Sequence, residues 1–170
     1  MQLIFRDNFF SSGRTEIVDA SGNPAGTLNL GSAFSATVEA YNAEDRLVCT
    51  GKFRHLLSSK WLVLGPSGEE LGLLRSRMSF LSKRYEYEAY GRGNYEITSP
   101  AFSREYEITQ DNGQLAARFE RINGFFSSGA FSLNNNSDRL DSYELTVVIM
   151  GVHAIQKSQQ AADSNGATYT

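Results

Sequence analysis

Positively charged side chains concentrate in the middle of the sequence. Residues 46–92 carry nine Lys and Arg against four Asp and Glu, whereas acidic residues outnumber basic ones in 1–45 and in 93–170. Arg75 and Arg77 alternate, so on a strand they share one face. Guanidinium groups bind phosphate and carboxylate through paired hydrogen bonds. The pattern predicts an anion-binding patch, and its candidate residues are Arg54, Lys60, Arg75, Arg77, Lys83 and Arg84.

The same charges also fit a purely structural role. Glu86 and Glu88 lie inside the basic segment, where a strand would place them beside the cations. Exposed ion pairs of this kind contribute only about 0–1 kcal/mol each. Their main effect is to keep a protein surface hydrated. A solvated, self-paired strand face is therefore the alternative to an anion site, and the sequence leaves both interpretations open.

Residue types that carry catalysis are sparse. The two histidines, His55 and His153, are far apart, and His153 lies in an apolar segment that is typical of a structural histidine. Cys49 stands among apolar neighbours, which indicates a small buried side chain rather than a reactive thiol. The sequence lacks the spacing of zinc, calcium, phosphate-loop and serine-nucleophile motifs. We therefore predict no catalytic residue, no metal site and no cofactor.

The composition is that of one folded domain. The chain has 170 residues, of which 41% are hydrophobic and 21% charged, and its formal net charge is −3. These values exclude a disordered chain, a collagen, a coiled coil and a disulfide scaffold. A mildly acidic chain has no overall positive field, so we expect no nucleic-acid partner. The single cysteine, and a start that does not resemble a signal peptide, predict a cytoplasmic protein.

Short strands account for most of the sequence. Turn signals such as Asp111-Asn112-Gly113 and Asn123-Gly124 recur at short intervals and supply the positive φ angles of tight hairpins. Between the turns, apolar residues alternate with polar ones, which places one face in the core and one in water. Many such strands predict an antiparallel barrel or sandwich. The core-facing residues are expected to be Phe34, Ala36, Val38 and Ala40, Tyr85 and Tyr87, and Leu115, Ala117 and Phe119.

A different pattern begins after the linker 134–138. Residues 145–155 are apolar almost without interruption, which fits a helix buried on all sides, while a further strand and a membrane span are the alternatives. A membrane span needs about 20 apolar residues, so this run is too short. We predict a buried helix over about 140–157, followed by a polar tail over 158–170. Asp138 or Asp141 is expected to cap the helix, with Glu144 completing a capping box.

This order of elements resembles the tubby C-terminal-like superfamily, which includes the LURP-one-related proteins and the phospholipid scramblases. Two local patterns carry the likeness. The first is a strand pair with an aspartate–glycine turn, Tyr95-Glu96-Ile97 with residues 106–119, and the second is the apolar run 143–155. The resemblance implies a mainly β fold, a closed antiparallel barrel of about 12 strands around a central hydrophobic C-terminal helix. The domain is expected to span 1–157.

Three functional hypotheses follow. The first is a non-enzymatic binding module that recognises an anionic phospholipid, or another anionic ligand, through residues 46–92. The resemblance to tubby implies the lipid ligand, although no binding residue matches tubby's phosphoinositide motif. The second is a protein-interaction or scaffold domain that uses exposed aromatic turns at Phe9-Phe10 and Phe125-Phe126. The third is an enzyme with a site at the barrel mouth. The expected partners are a membrane lipid surface or a protein, with no transmembrane span.

Overall fold

Strand pairing organises the computed structural model, which describes residues 1–11, 13–31, 37–55, 58–77, 83–99, 104–123 and 129–166. Within these ranges the chain forms strands, one 3₁₀ turn at Asp7–Phe10 and one α-helix. The elements are β1 Gln2–Phe5, β2 Gly13–Asp19, β3 Pro24–Leu30, β4 Val38–Asn42, β5 Leu47–Phe53, β6 Lys60–Leu64, β7 Glu70–Arg77, β8 Lys83–Ala89, β9 Gly93–Ser99, β10 Tyr106–Gln110, β11 Leu115–Ile122, β12 Ala130–Asn135 and α1 Ser142–Gly166.

The strands close into an antiparallel barrel. Each strand pairs with its neighbours in the chain, and β1 completes the ring by pairing with both β2 and β12. At this seam Leu3 lies opposite Leu133, and Phe5 lies opposite Ile17. Closure removes the exposed strand edges that favour aggregation. The predicted closed barrel of about 12 strands is confirmed in the described part of the chain.

Alternating residues divide the barrel into an apolar interior and a charged exterior. On β8, Tyr85 and Tyr87 are buried in the core, while Arg84 and Glu86 point outward between them. On β4 the expected core residues Val38 and Ala40 are buried, whereas Phe34 and Ala36 lie outside the described residues. On β11 the alternation is broken at Ala116, which is buried beside Ala117 because the register with β10 shifts there.

Tight turns close one end of the barrel, here called the hairpin end. At the predicted Asp111-Asn112-Gly113 turn, the N–H of Gly113 donates to the Gln110 carbonyl at 2.8 Å, and Gly113 adopts a φ of +80°. Glycine adopts this left-handed backbone without the steric cost of a side chain. The opposite end, where β3, β5 and β7 finish, is here called the exit end because α1 leaves the barrel there.

The helix α1 fills the interior of the barrel. Every residue from 145 to 152 is buried, so the segment is covered on all faces. Gly151 lets the helix approach β6, because a Cβ at this position would lie 2.5 Å from Cδ1 of Trp61. The predicted central hydrophobic helix is confirmed. None of the helical segments that the structure describes is long and apolar enough to cross a membrane.

The ends of α1 differ from the sequence-based expectation. Asp141 caps the helix, since its Oδ1 accepts a hydrogen bond from the Tyr143 N–H at 2.8 Å. Glu144 does not complete a capping box, because its carboxylate binds Arg92 instead. The helix also continues past Lys157 to Gly166, although the sequence predicts a polar tail from residue 158, and residues 157–164 are exposed. The division into a domain 1–157 and a tail 158–170 stays a prediction.

Candidate ligand-binding site

Three of the predicted anion-binding residues form a row across neighbouring strands. The N–H of Arg54 donates to the Lys60 carbonyl at 2.9 Å, and Lys60 lies opposite Arg75 in the β6–β7 register. Their chain neighbours Phe53, Trp61 and Leu74 pack into the core. Because side chains alternate between faces, Arg54, Lys60 and Arg75 all point to the outside of the barrel. We call these three residues the outer cationic row.

Glu86 partly neutralises the row. Its carboxylate accepts hydrogen bonds from both Arg75 and Arg77, and its side chain is only 15% exposed. Hydrogen bonding from Arg75 lowers the pKa of Glu86, against the opposing effect of its partial burial. One carboxylate therefore serves two guanidinium groups, and Glu88, on the same outer face, adds a second negative charge near Arg75.

Arg84 and Lys83, like Arg77, lie outside the row. Arg84 sits opposite Arg77 on the outer face and forms an ion pair with Glu96 at 3.1 Å. Lys83 follows the alternation of Tyr85 and therefore points to the other side of the sheet, although it is exposed at the strand end. The structure thus groups five of the six candidate residues on one outer face and separates Lys83 from them.

Lys52 is a further cation of this surface that the sequence-based candidates omitted. It is exposed and lies two residues before Arg54, so both side chains leave β5 on the outer face. Within the described ranges, Lys52, Arg54 and Lys60 form no ion pair. Period-two spacing with Arg54 is the sequence signal that identifies Lys52. The excess positive charge is therefore greatest over β5 and β6.

Arg92 also belongs to the basic segment, but it is not part of this outer surface. It lies near the hairpin end, where its guanidinium binds Glu144 through two hydrogen bonds and donates a third to the Leu71 carbonyl. Tyr87 donates its hydroxyl hydrogen to the same carboxylate, and Glu144 is buried. This cluster anchors the start of α1 to the barrel, so Arg92 does not serve an external ligand.

A cavity of about 600 Å³ opens at the exit end, between α1 and the ends of the surrounding strands. We call it the mouth cavity. Its apolar lining comes from the barrel wall and from the helix, and more polar side chains come from the helix beyond the core. The large apolar lining residues are Phe10, Leu30, Val38, Phe53, Trp61 and Met150, the helix adds Ala154 and Ala161, and the polar helical ones are His153, Lys157 and Ser158.

His153 lies in the wall of the mouth cavity. Burial lowers its pKa to about 4, with further lowering by the positive charges of Arg104 and Lys157. Its ring centroid is 4.6 Å from that of Phe10. The side chain is therefore a neutral imidazole packed on an aromatic ring at pH 7. The expected structural role of His153 is consistent with these contacts.

Trp61 and Cys49 are both enclosed in the core of the barrel. The Trp61 indole is fully buried, and its Nε1 has no hydrogen-bond partner among the residues that the structure describes. Cys49 is also fully buried, and burial raises the pKa of its thiol well above the usual value. A protonated, enclosed thiol is a poor nucleophile, so Cys49 acts as a small core residue. The ranges with defined positions contain no His, Cys, Asp and Glu group arranged to hold a metal ion.

The prediction of an exposed aromatic turn at Phe9-Phe10 is wrong. Phe9 is fully buried, with its ring centroid 4.4 Å from that of Phe5. Phe10 packs against the core and lines the mouth cavity. The 3₁₀ turn folds both rings over the end of the barrel, where apolar burial outweighs exposure. The second predicted turn, Phe125-Phe126, lies outside the described residues.

Comparisons with known proteins agree with this architecture. A family model described as LURP-one-related matches residues 1–152. The X-ray structure of a protein from Arabidopsis thaliana is similar with a TM-score of 0.60 and 13% sequence identity, over 89% of this chain and 91% of that chain. This likeness shows a shared fold, and no curated protein gives a significant match. Family and fold are consistent with a non-enzymatic binding module. The chain belongs to the LURP-one-related family.

Proposed function

We propose that the protein is a non-enzymatic module that binds anionic phospholipid headgroups through the outer face of β5, β6 and β7. The observation that carries this proposal is the outer cationic row, in which three cations lie side by side across neighbouring strands and only Arg75 has an ion-pair partner among the described residues, Glu86. The proposed contact residues are Lys52, Arg54, Lys60, Arg75, Arg77 and Arg84.

The spacing of the row suits phosphate groups at a membrane surface. Adjacent strands lie about 4.8 Å apart, so the three side chains span about 10 Å. Each Lys or Arg near an anionic membrane contributes about 1 kcal/mol. The three residues of the row together with Lys52 give about 4 kcal/mol, which is roughly a thousandfold enrichment at the surface. Binding of this strength is reversible and depends strongly on salt.

Vesicle flotation tests the proposal. The protein is mixed with phosphatidylcholine vesicles, or with vesicles that also contain phosphatidylserine, at low and at physiological salt. We expect co-flotation only with the anionic vesicles, and we expect it to weaken as salt screens the charges. The informative variant is Arg54→Glu with Lys60→Glu, because both side chains are exposed and neither is part of an ion pair between described residues.

A matched control changes the same number of charges elsewhere. Arg14→Glu with Arg118→Glu alters exposed arginines on β2 and β11 that pair with Asp45 and Glu107. If the proposal is correct, the β5–β6 variant loses vesicle binding and the control variant keeps it. Equal loss in both variants would indicate a general charge effect, and equal retention would show that the row does not bind lipid.

A cytoplasmic location accompanies this proposal. Its support is the single free cysteine, Cys49, which is buried in the core and has no disulfide partner. Fractionation of cells that express the tagged full chain, with and without high-salt washing, tests it. Recovery in the cytosol and in a salt-releasable membrane fraction is the expected result.

A further inference from the structure

The mouth cavity is a second candidate site, and the headgroup proposal does not use it. Its volume of about 600 Å³ falls inside the range of about 300–1,000 Å³ that is typical of small-molecule sites. The deeper lining comes from Leu30, Val38, Phe53 and Met150, which belong to three strands and to the helix. An apolar surface of this shape gains most from a ligand with a hydrocarbon portion.

Two positive charges, those of Lys157 and Arg104, lie at this cavity. Lys157 lines it and is exposed to solvent, and the guanidinium carbon of Arg104 lies 5.2 Å from the ring centroid of Phe10 in the cavity wall. No Asp or Glu is among the lining residues that the structure describes. The positive charges of Arg104 and Lys157 also act on His153, which contributes no charge of its own at pH 7. An anionic group is therefore favoured where the cavity meets solvent.

We propose that the mouth cavity binds a single-chain amphiphile with an anionic head, represented by a long-chain fatty acid. The hydrocarbon chain lies against the apolar lining, and the carboxylate lies beside Lys157. A linear chain fits better than a compact polar ligand, because the inner lining offers mainly apolar side chains. This proposal is independent of the outer cationic row, since the two sites lie on opposite sides of the β5–β6 wall.

Displacement of a fluorescent fatty acid, dansyl-undecanoic acid, by palmitate tests the proposal. The informative variant is Ala161→Trp, because Ala161 lines the cavity from an exposed part of the helix and its replacement fills the space without touching the core. The control is Ala162→Trp, one residue further along the same exposed segment and absent from the lining. We expect Ala161→Trp to weaken palmitate binding by more than about tenfold and Ala162→Trp by less than about twofold.

The position of the head group has its own test. Lys157→Gln removes the charge and keeps most of the side chain, so palmitate is expected to bind about fivefold more weakly. Hexadecanol, which has the same chain without a charge, should be unaffected. Equal weakening of both ligands would place the carboxylate elsewhere and would overturn this orientation.

Two results would overturn the site itself. One is the absence of palmitate displacement in the unmodified protein, and the other is equal binding by Ala161→Trp and Ala162→Trp. Vesicle flotation separates the two proposals, since Ala161→Trp should float like the unmodified protein. Conversely, Arg54→Glu with Lys60→Glu should leave palmitate binding within about twofold.

Discussion

Arg92 and Glu144 form a two-pronged ion pair between the hairpin end of the barrel and the first turn of α1. The Nη1–Oε2 distance is 2.6 Å and the Nη2–Oε1 distance is 2.8 Å. The two side chains are unequally buried, since Glu144 is 3% exposed and Arg92 is 28% exposed. Removing Arg92 therefore costs more of the free energy of unfolding than removing the charge of Glu144, because only the carboxylate lacks access to water.

Loss of Arg92 is expected to destabilise the protein more than loss of the Glu144 charge. Arg92→Met leaves Glu144 buried with Tyr87 as its remaining hydrogen-bond partner. Breaking a buried pair in this way costs about 3–5 kcal/mol of the free energy of unfolding. Glu144→Gln is expected to cost less, because Arg92 can turn toward solvent. Urea unfolding monitored by tryptophan fluorescence measures both changes.

The control for this prediction is Arg84→Met. Arg84 pairs with Glu96, and both side chains are about half exposed. We expect it to change the free energy of unfolding by no more than about 1 kcal/mol. Similar losses for Arg84→Met and Arg92→Met would contradict the interpretation that burial of the carboxylate decides the cost.

Histidine protonation predicts how stability depends on pH. The folded pKa of His153 is about 4, below its ordinary value of 6.5, mainly because of burial. Between pH 4 and pH 6.5, His153 is therefore protonated in the unfolded chain and neutral in the folded chain. The free energy of unfolding should fall by up to about 1.4 kcal/mol per pH unit as pH drops below 6.5. Above pH 6.5 the imidazole is neutral in both states, so His153 no longer makes the free energy of unfolding depend on pH.

The measurement is urea unfolding between pH 7.5 and pH 5, for the unmodified protein and for His153→Phe. Glu86 and Asp19 have lowered pKa values, so their contributions are lost only at more acidic pH. The variant should show a shallower pH dependence in this window. An unchanged slope would mean that His153 is not the group that titrates.

Close packing of helix and strand gives the third prediction. Alanine is favoured over glycine in a helix by about 1 kcal/mol. At Gly151, however, a Cβ would lie 2.5 Å from Trp61 Cδ1, and overpacking costs about 1–3 kcal/mol. We expect Gly151→Ala to lower the melting temperature. Ser158→Ala, on the exposed part of the same helix, serves as the control and should leave the melting temperature unchanged or slightly higher.

A buried charge tests the central position of the helix. Val148 is fully buried in the apolar core of the barrel, so Val148→Asp places a carboxylate among apolar side chains. The cost of several kcal/mol is a large part of a total stability of about 5–15 kcal/mol. We expect loss of the cooperative thermal transition. Ala162→Asp, on the exposed segment of α1, should keep it, and a cooperative melt of Val148→Asp near the parent temperature would show that this segment is not central.

Removing an acid from the outer face should strengthen lipid binding. Glu86→Gln releases Arg75 and Arg77 from their shared partner and adds one unit of positive charge. Binding to phosphatidylserine vesicles is expected to increase about fivefold at low salt. Glu107→Gln on β10, which releases Arg118 on β11, makes the same change in net charge away from β5, β6 and β7. Equal increases in both variants would argue against a localised site.

Local periodicity made the architecture predictable. The alternation of Tyr85 and Tyr87 with charged residues gave the strand and its inner face, and the apolar run after Leu145 gave a helix buried on all sides. Both patterns depend only on side chains a few residues apart. The helix end was less predictable, because the residues after Lys157 are polar and exposed, and nothing in their pattern marks a stop.

The site was only partly predictable, because its residues are assembled by register. Sequence alternation shows that Arg75 and Arg77 share a face, but only the β6–β7 pairing places Lys60 beside Arg75. Burial of Phe9 and withdrawal of Arg92 toward Glu144 depend on contacts with distant parts of the chain. No local sequence pattern predicts the mouth cavity, because its lining residues come from separate strands and from the helix.

The seam between β1 and β12 has a consequence for how the chain folds. The helix follows all of the strands in the chain but ends up inside them, and a closed ring would not admit the bulky side chains of Ile149 and Met150. We therefore expect the strands to form an open curved sheet first, and we expect the pairing of Leu3 with Leu133 to follow docking of the helix. Since that pairing joins opposite ends of the barrel sequence, we expect folding in the slow range of about milliseconds to seconds that is typical of proteins with many distant contacts.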